Sequence, residues 1–272
     1  MKIKKINKKA FTLAEILITL GIIGVIAAIT IPTLINKTKN KELHTAFLKT
    51  FSELNQLAIL FNSENGITIP EYTAGKVENG IAASDANLIF SYYNNAITLS
   101  SSAQGTENDK GEIVAFYDIH YLNGKSYSGG TNSSGGNSSF LCDNTRFQGT
   151  KSGSILILND APKYGENGPV ICVDINGKKR PNRYGVDYFL FIFTVDGKVI
   201  PIGQTHKNNP TSCNSGNGVC ANFNNIGAKY CSTTSLNISE NTSCAYYALN
   251  NTHPTKQGKD YWNDFLGEVY NR

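Results

Sequence analysis

From Ile16 to Ile35 the chain runs for twenty residues without a charged side chain, the length at which an α-helix crosses the hydrocarbon of a bilayer. Fourteen residues between Phe11 and Ile35 are Ile, Leu, Val or Phe, each contributing about −0.3 to −0.6 kcal/mol to insertion. One acid, Glu15, opposes them by about 3 kcal/mol at most, and by less near the end of a span. Insertion therefore wins. Five lysines in the first ten residues precede the run, and Lys37, Lys39 and Lys41 follow it. That asymmetry predicts a cytoplasmic N-terminus and an exported remainder. A secretory signal peptide shares the basic start, but this run ends in "ITIPTLINK", which lacks a small-residue cleavage site.

The net charge of +4 belongs to that basic start: without its five lysines, 20 basic residues face 21 acidic ones. The remainder carries no electrostatic footprint for nucleic acid. All six cysteines (Cys142, Cys172, Cys213, Cys220, Cys231 and Cys244) lie in the C-terminal half. Beyond a membrane segment, an even number reads as disulfides formed in an oxidising compartment. Of the fifteen pairings open to six cysteines, the expected set is Cys213–Cys220, Cys231–Cys244 and Cys142–Cys172. No C-x-x-C spacing supports a zinc site with His206 or His253.

The segment "KKAFTLAE" followed by the apolar run resembles the N-terminal cleavage and methylation motif of type IV pilins and type II secretion pseudopilins. The resemblance covers residues 8–35. It implies that prepilin peptidase cuts the Ala10–Phe11 bond on the cytoplasmic side and N-methylates Phe11, with residues 1–10 as the cleaved leader. Ala10 departs from the family's usual glycine, which implies slower or adapted processing. Glu15 then becomes the fifth mature residue, and Pro32 falls where the family kinks its helix. The resemblance also implies partners: the peptidase, the inner membrane, and other pilin or pseudopilin subunits in a periplasmic or cell-surface filament. Within such a filament, the Glu15 carboxylate of one subunit is expected to meet the Phe11 ammonium of its neighbour in a low-dielectric shaft. Snorkelling of Glu15 to the headgroups is the alternative.

Beyond residues 11–35, the helical pattern resumes over 36–66. Leu43, Phe47, Thr50, Leu54, Ala58 and Phe61 recur at three- and four-residue spacing, and Asn65–Gly66 supplies the stop. Residues 67–272 make the exported head. "SDANLIFSYYNNAITLS" (84–100) predicts a short helix with Leu88, Ile89, Tyr92 and Tyr93 inward. Residues 112–122 have strand composition, and 126–139 predict a polar loop. Residues 154–158, 169–175, 187–195 and 198–203 are β-branched or aromatic runs between turn signals. Asp196–Gly197 predicts a two-residue hairpin joining the last two. The expected fold class is therefore α+β: a long N-terminal helix whose amphipathic half packs on an antiparallel sheet, the pilin-like arrangement. The aromatic tail 259–270, with Tyr261, Trp262, Phe265 and Leu266, is expected to dock on that sheet.

Asp174, Asn176, Asn182 and Asp187 concentrate oxygen donors around Gly177, Pro181 and Gly185. The pattern is similar to a D-x-N-G…P-N…G-x-D loop of pilin-like proteins in the type II secretion class, and some pseudopilins bind calcium in a head loop. Two readings stay open: calcium ligands, or a turn network in which the side chains cap backbone amides. Lys178, Lys179, Arg180 and Arg183 compete for the same carboxylates. No other cofactor is indicated. No G-x-S-x-G, P-loop, H-E-x-x-H or G-x-G-x-x-G is present, and the four histidines are scattered, His44 on an exposed stretch of helix. The reading is a structural subunit and not an enzyme. An adhesin-like tip module on the same anchor is the alternative.

Overall fold

The computed structural model describes residues 12–74, 83–93, 96–98, 106–107, 113–114, 119–125, 148–158, 161–177, 179–210, 230–236 and 240–270. The architecture is α+β. The chain divides into two compact units, Met1–Lys41 and Glu42–Arg272. Helix α1, Leu13–Asn65, begins in the first and ends in the second. Its most apolar window has a mean hydropathy of 2.4 and none of it is buried, so by length and composition it is able to cross a membrane. Leu17, Ile23 and Ile29 are typical, at 61–67% exposed. Pro32 removes one bond from the helical ladder, yet α1 continues through it. Gly66, at φ +69°, ends α1.

Within the second unit, the 3.6-residue stripe is the core face. Leu43, Phe47, Thr50, Leu54, Ala58 and Phe61 are all buried, joined by Leu57. Two short helices follow, α2 (Ile69–Thr73) and α3 (Ala83–Ser91). Helix α2 starts on a capping box in which Thr68 and Glu71 satisfy each other's backbone N–H. Helix α3 turns inward through Ala86, Ile89 and Phe90, with Tyr93 just beyond its end. Leu88, expected inward, is instead 38% exposed, because it lies nearly half a turn away from the face that Ala86, Ile89 and Phe90 define. Tyr93 Oη donates to Glu53 of α1 and Tyr72 Oη to Asp85, so polar contacts join α3 to its neighbours. The helix expected over 84–100 ends earlier, and Ala96–Thr98 forms strand β1.

The main sheet has six strands in the order β1-β4-β5-β6-β7-β8, every neighbour antiparallel. Here β4 is Gln148–Thr150, β5 Ile155–Leu158, β6 Val170–Asp174, β7 Tyr188–Phe193 and β8 Val199–Pro201. From β4 onward it is a meander. A separate two-stranded ribbon pairs β2 (Thr106–Glu107) with β3 (Ile113–Val114), so only a fragment of the 112–122 run is strand among the described residues. Residues 126–139 lie outside them. The register aligns Leu158 with Ile171 and Ile171 with Phe191, and these side chains share a core with α1. Phe47 meets Phe189 edge-on at 4.7 Å and Phe191 at 5.5 Å, and Phe51 meets Phe191 at 5.5 Å. Ile157, Cys172 and Leu190, of opposite parity, are buried as well. Coverage of both faces explains why these strands read as unbroken apolar runs.

The β7–β8 hairpin departs from the expected two-residue turn. Thr194 N–H donates to Lys198 O at 2.8 Å and Gly197 N–H to Thr194 O at 2.9 Å, with Gly197 at φ +76°. That is a three-residue loop with a left-handed last position, the form that ends in a glycine bulge. Asn55 of α1 reaches the same region, its Oδ1 accepting from Val199 N–H at 3.0 Å.

The C-terminal segment closes the unit. Helix α4 spans Cys244–Asn250, a π-helical turn spans Tyr261–Phe265, and α5 spans Leu266–Tyr270. Asp260 caps the π turn by accepting from the Asn263 and Asp264 N–H groups. Tyr261, Trp262, Phe265 and Leu266 are buried, as expected of a docked tail. Trp262 Nε1 donates to Ala248 O at 3.0 Å. Its indole stacks on His44 at 4.9 Å and 13°, so His44 is half-buried against the tail and not on a bare stretch of helix.

Candidate functional sites

Two constellations carry the chemistry. The first lies at the start of α1. Thr12 donates to Glu15 Oε2 from both its backbone N–H and its Oγ1, each at 2.8 Å, and Glu15 N–H donates to Thr12 Oγ1 at 3.2 Å. This is a capping box, T-x-x-E, in which each residue satisfies a backbone donor that a helix start leaves open. The carboxylate also sits at the positive end of the helix dipole. Glu15 therefore has a partner within its own chain, and the four letters "TLAE" carry that contact in the sequence. Ala10 and Phe11 lie outside the described residues, and Pro32 stands within the continuous helix.

The second constellation is the connection from β6 to β7. Asp174, the last residue of β6, pairs in register with Tyr188, the first of β7. Asp174 and Asp187 are both 0% exposed. Three donors orient Asp187: Arg183 N–H to Oδ1 at 2.5 Å, and Asn182 N–H and Asn176 Nδ2 to Oδ2 at 3.0 and 3.1 Å. Asp174 Oδ1 accepts from Asn176 N–H at 3.2 Å. The four expected ligands thus converge on one connection, and much of the expected turn network is present too. That network leaves oxygens over. Asp174 Oδ2, Asn176 Oδ1 and Asn182 Oδ1 are buried with no hydrogen-bond partner among the described residues. Each such oxygen costs about 1–3 kcal/mol unless something satisfies it. Burial first, and the Asp187 charge second, push the Asp174 carboxyl well above the usual carboxylate range.

The connection is held from outside as well. Asn182 O accepts from His120 N–H at 2.8 Å, and Tyr184 N–H donates to His120 O at 3.0 Å. Tyr261 Oη of the π turn donates to Gly185 O at 2.5 Å. The Arg183 guanidinium packs over Gly124, and its charge acts on Tyr270 and Asp187. Lys179 and Arg180 are exposed. Cys231 and Cys244 form a disulfide, the pairing expected for them. Cys172 in β6 is also disulfide-bonded, while Cys142, Cys213 and Cys220 lie outside the described residues. His206 contacts Asn167 and Asp196. His253 Nδ1 accepts from the Thr255 and Lys256 N–H groups. Among the described residues no three His, Cys, Asp or Glu side chains gather as a metal cluster.

Residues 5–31 match the prokaryotic N-terminal methylation motif, the hallmark of type IV pilins and pseudopilins. Comparison with curated proteins and with solved structures returns no match. The motif supports a pilin-like protein and, together with one apolar N-terminal helix, fits a single-pass membrane anchor. It also suggests a structural subunit and not an enzyme.

Proposed function

We propose that the chain is a structural subunit, a pilin or pseudopilin, of a type IV pilus or type II secretion filament. Prepilin peptidase cuts the Ala10–Phe11 bond, and the new terminal Phe11 is N-methylated. The subunit waits in the inner membrane with its N-terminus cytoplasmic and its head exported, and then assembles through α1. The observation that carries this reading is the methylation motif at residues 5–31, which overlaps the start of a helix long and apolar enough to span a membrane. N-terminal mass spectrometry of material sheared from cells tests it. N-methyl-Phe11 is the expected terminus. An intact lysine-rich leader in cells with active peptidase, or a terminus beyond residue 35, contradicts it.

In the filament, Glu15 takes a second role beside capping. Cleavage leaves an ammonium at Phe11, and a neighbour's Glu15 carboxylate pairs with it where water is scarce. Glu15→Gln separates the two roles, because glutamine still completes a capping box but carries no charge. We expect E15Q to insert and be processed normally yet yield few filaments. Normal filaments from E15Q, with loss in Glu15→Ala, would assign Glu15 to capping alone.

A further inference from the structure

We infer that Lys125, Lys151, Lys179 and Arg180 form a docking surface for anionic phospholipid headgroups, on the rim of the second unit where α1 enters it. The inference rests on the reading of α1 as a membrane anchor and goes beyond it, because it gives the unit Glu42–Arg272 a membrane contact of its own. The course of β7 locates the rim. Phe189, near the start of β7, packs on Phe47 close to the point of entry. The β7–β8 hairpin, at the other end, reaches Asn55 and Asn62 further along α1. The β6–β7 connection therefore lies at the end of the unit by which α1 enters.

Two other turns meet that connection. The backbone of His120 bonds to Asn182 and Tyr184, and Gly124 abuts the Arg183 guanidinium, which brings in the turn 121–125. The register sets Ile155 opposite Asp174, and Gly153 O abuts Gly177, which brings in the turn between β4 and β5. Turns distant in sequence thus set four cations on one rim. All four are exposed. None forms an ion pair among the described residues, whereas Lys49, Lys198, Lys256 and Lys259 each have a carboxylate. Asp174 and Asp187, for which Lys179 and Arg180 were expected to compete, are fully buried. The C-terminal tail brings acids toward the same rim, but Asp260 caps the π turn, and Asp264 and Glu268 are matched by Lys259 and Lys256. Glu42 adds one exposed acid at the point of entry.

What this cluster meets is set by the tether. Ile35, the last residue of the apolar run, and Glu42 are seven positions apart. That is about 11 Å along a helix and at most about 25 Å fully extended. The tether bounds how far the point of entry stands from the headgroups, and tilting about it brings the rim down onto them. Such confinement gives a high effective concentration, so contacts that are weak singly suffice together. Each Lys or Arg beside an anionic leaflet strengthens binding by about fivefold, within the screening length of the salt.

The test places the full chain in nanodiscs of phosphatidylcholine alone, or of phosphatidylcholine mixed with phosphatidylglycerol. Lysine acylation by a water-soluble succinimidyl ester is then mapped by mass spectrometry. Phosphatidylglycerol should slow the labelling of Lys125, Lys151 and Lys179 by about fivefold or more, and leave Lys198 in the β7–β8 hairpin unchanged. Salt at about 1 M, where the Debye length is about 3 Å, should restore the rates. Lys179→Glu combined with Arg180→Glu, both at exposed positions, should return Lys125 and Lys151 to their rates in phosphatidylcholine. A chain that co-elutes with the nanodiscs but labels alike in both lipids overturns the docking and leaves the anchor standing. A chain that does not co-elute overturns both. Protection that survives the double variant sinks the docking as well. So does protection by a short DNA duplex where phosphatidylglycerol gives none, which assigns the rim to nucleic acid.

Discussion

Phe47→Ala is expected to destabilise the unit Glu42–Arg272 by about 3–5 kcal/mol, the cost of emptying a large aromatic site that cannot collapse. Phe47 is 0% exposed. It touches Phe189, Phe191 and Trp262, with centroids 4.7, 5.5 and 5.5 Å away. Each aromatic pair adds about 0.5–1.5 kcal/mol beyond the area it hides. One side chain thus ties α1, β7 and the C-terminal π turn into a single core, and its removal loosens all three. Trp262 is the chain's one tryptophan, so its fluorescence reports the denaturant midpoint from inside the affected cluster. Ile59→Ala on the same helix is the control. At 58% exposed it should cost within about 0.5 kcal/mol. A loss below about 1 kcal/mol for F47A would mean that α1 does not anchor the head.

Gly185→Ala is the second large effect. Gly185 sits at φ +72°, and a Cβ there would lie 2.9 Å from Cys244 Sγ and 3.0 Å from both Cys244 Cβ and Tyr261 Oη. The left-handed backbone alone costs an L-residue about 1–2 kcal/mol, and overpacking adds about 1–3 kcal/mol. Gly165 is the natural comparison: its φ is +79° but nothing lies within 4 Å of the added carbon. Gly165→Ala should therefore pay the backbone cost only, and G185A should exceed it. Equal losses in thermal or denaturant melts would show that the β6–β7 connection, the disulfide and the tail do not converge as tightly as the structure places them.

The parts of this fold that were legible in the sequence are those that a single period describes. Leu43, Phe47, Leu54, Ala58 and Phe61 announced a buried face because one helix sets their spacing. The runs at 154–158, 169–175, 187–195 and 198–203 contain β5 to β8 in turn. What escaped depends on angle or on distant neighbours. Leu88, expected inward with Ile89, is exposed, and Phe90 takes the inward place beside Ala86. β1 falls within the stretch expected to be helical, yet Ile97 and Thr98 are β-branched and pair with β4. His44 looked bare because its cover, Trp262, comes from the far end of the chain. The oxygen-rich loop is visible as composition, but that three of its acceptors have no hydrogen-bond partner among the described residues is a property of packing. Thr12–Glu15 is a local signal, a T-x-x-E spacing at a helix start that three hydrogen bonds complete.

The bond from Val199 to Asn55 decides what the open edge of the sheet at β8 presents. In β8, hydrogen bonds to β7 alternate along the strand, and Ile202 N–H and Lys198 O make two of them. The amide positions turned away from β7 are therefore 199 and 201. The first is taken by Asn55 Oδ1, and the second is a proline with no hydrogen to give. The outer rim of the sheet on this side offers no donor to an incoming strand, which is how natural sheets avoid runaway edge-to-edge stacking. A strand laid against β8 from outside would find no amide donor at positions 199 and 201 to complete a ladder.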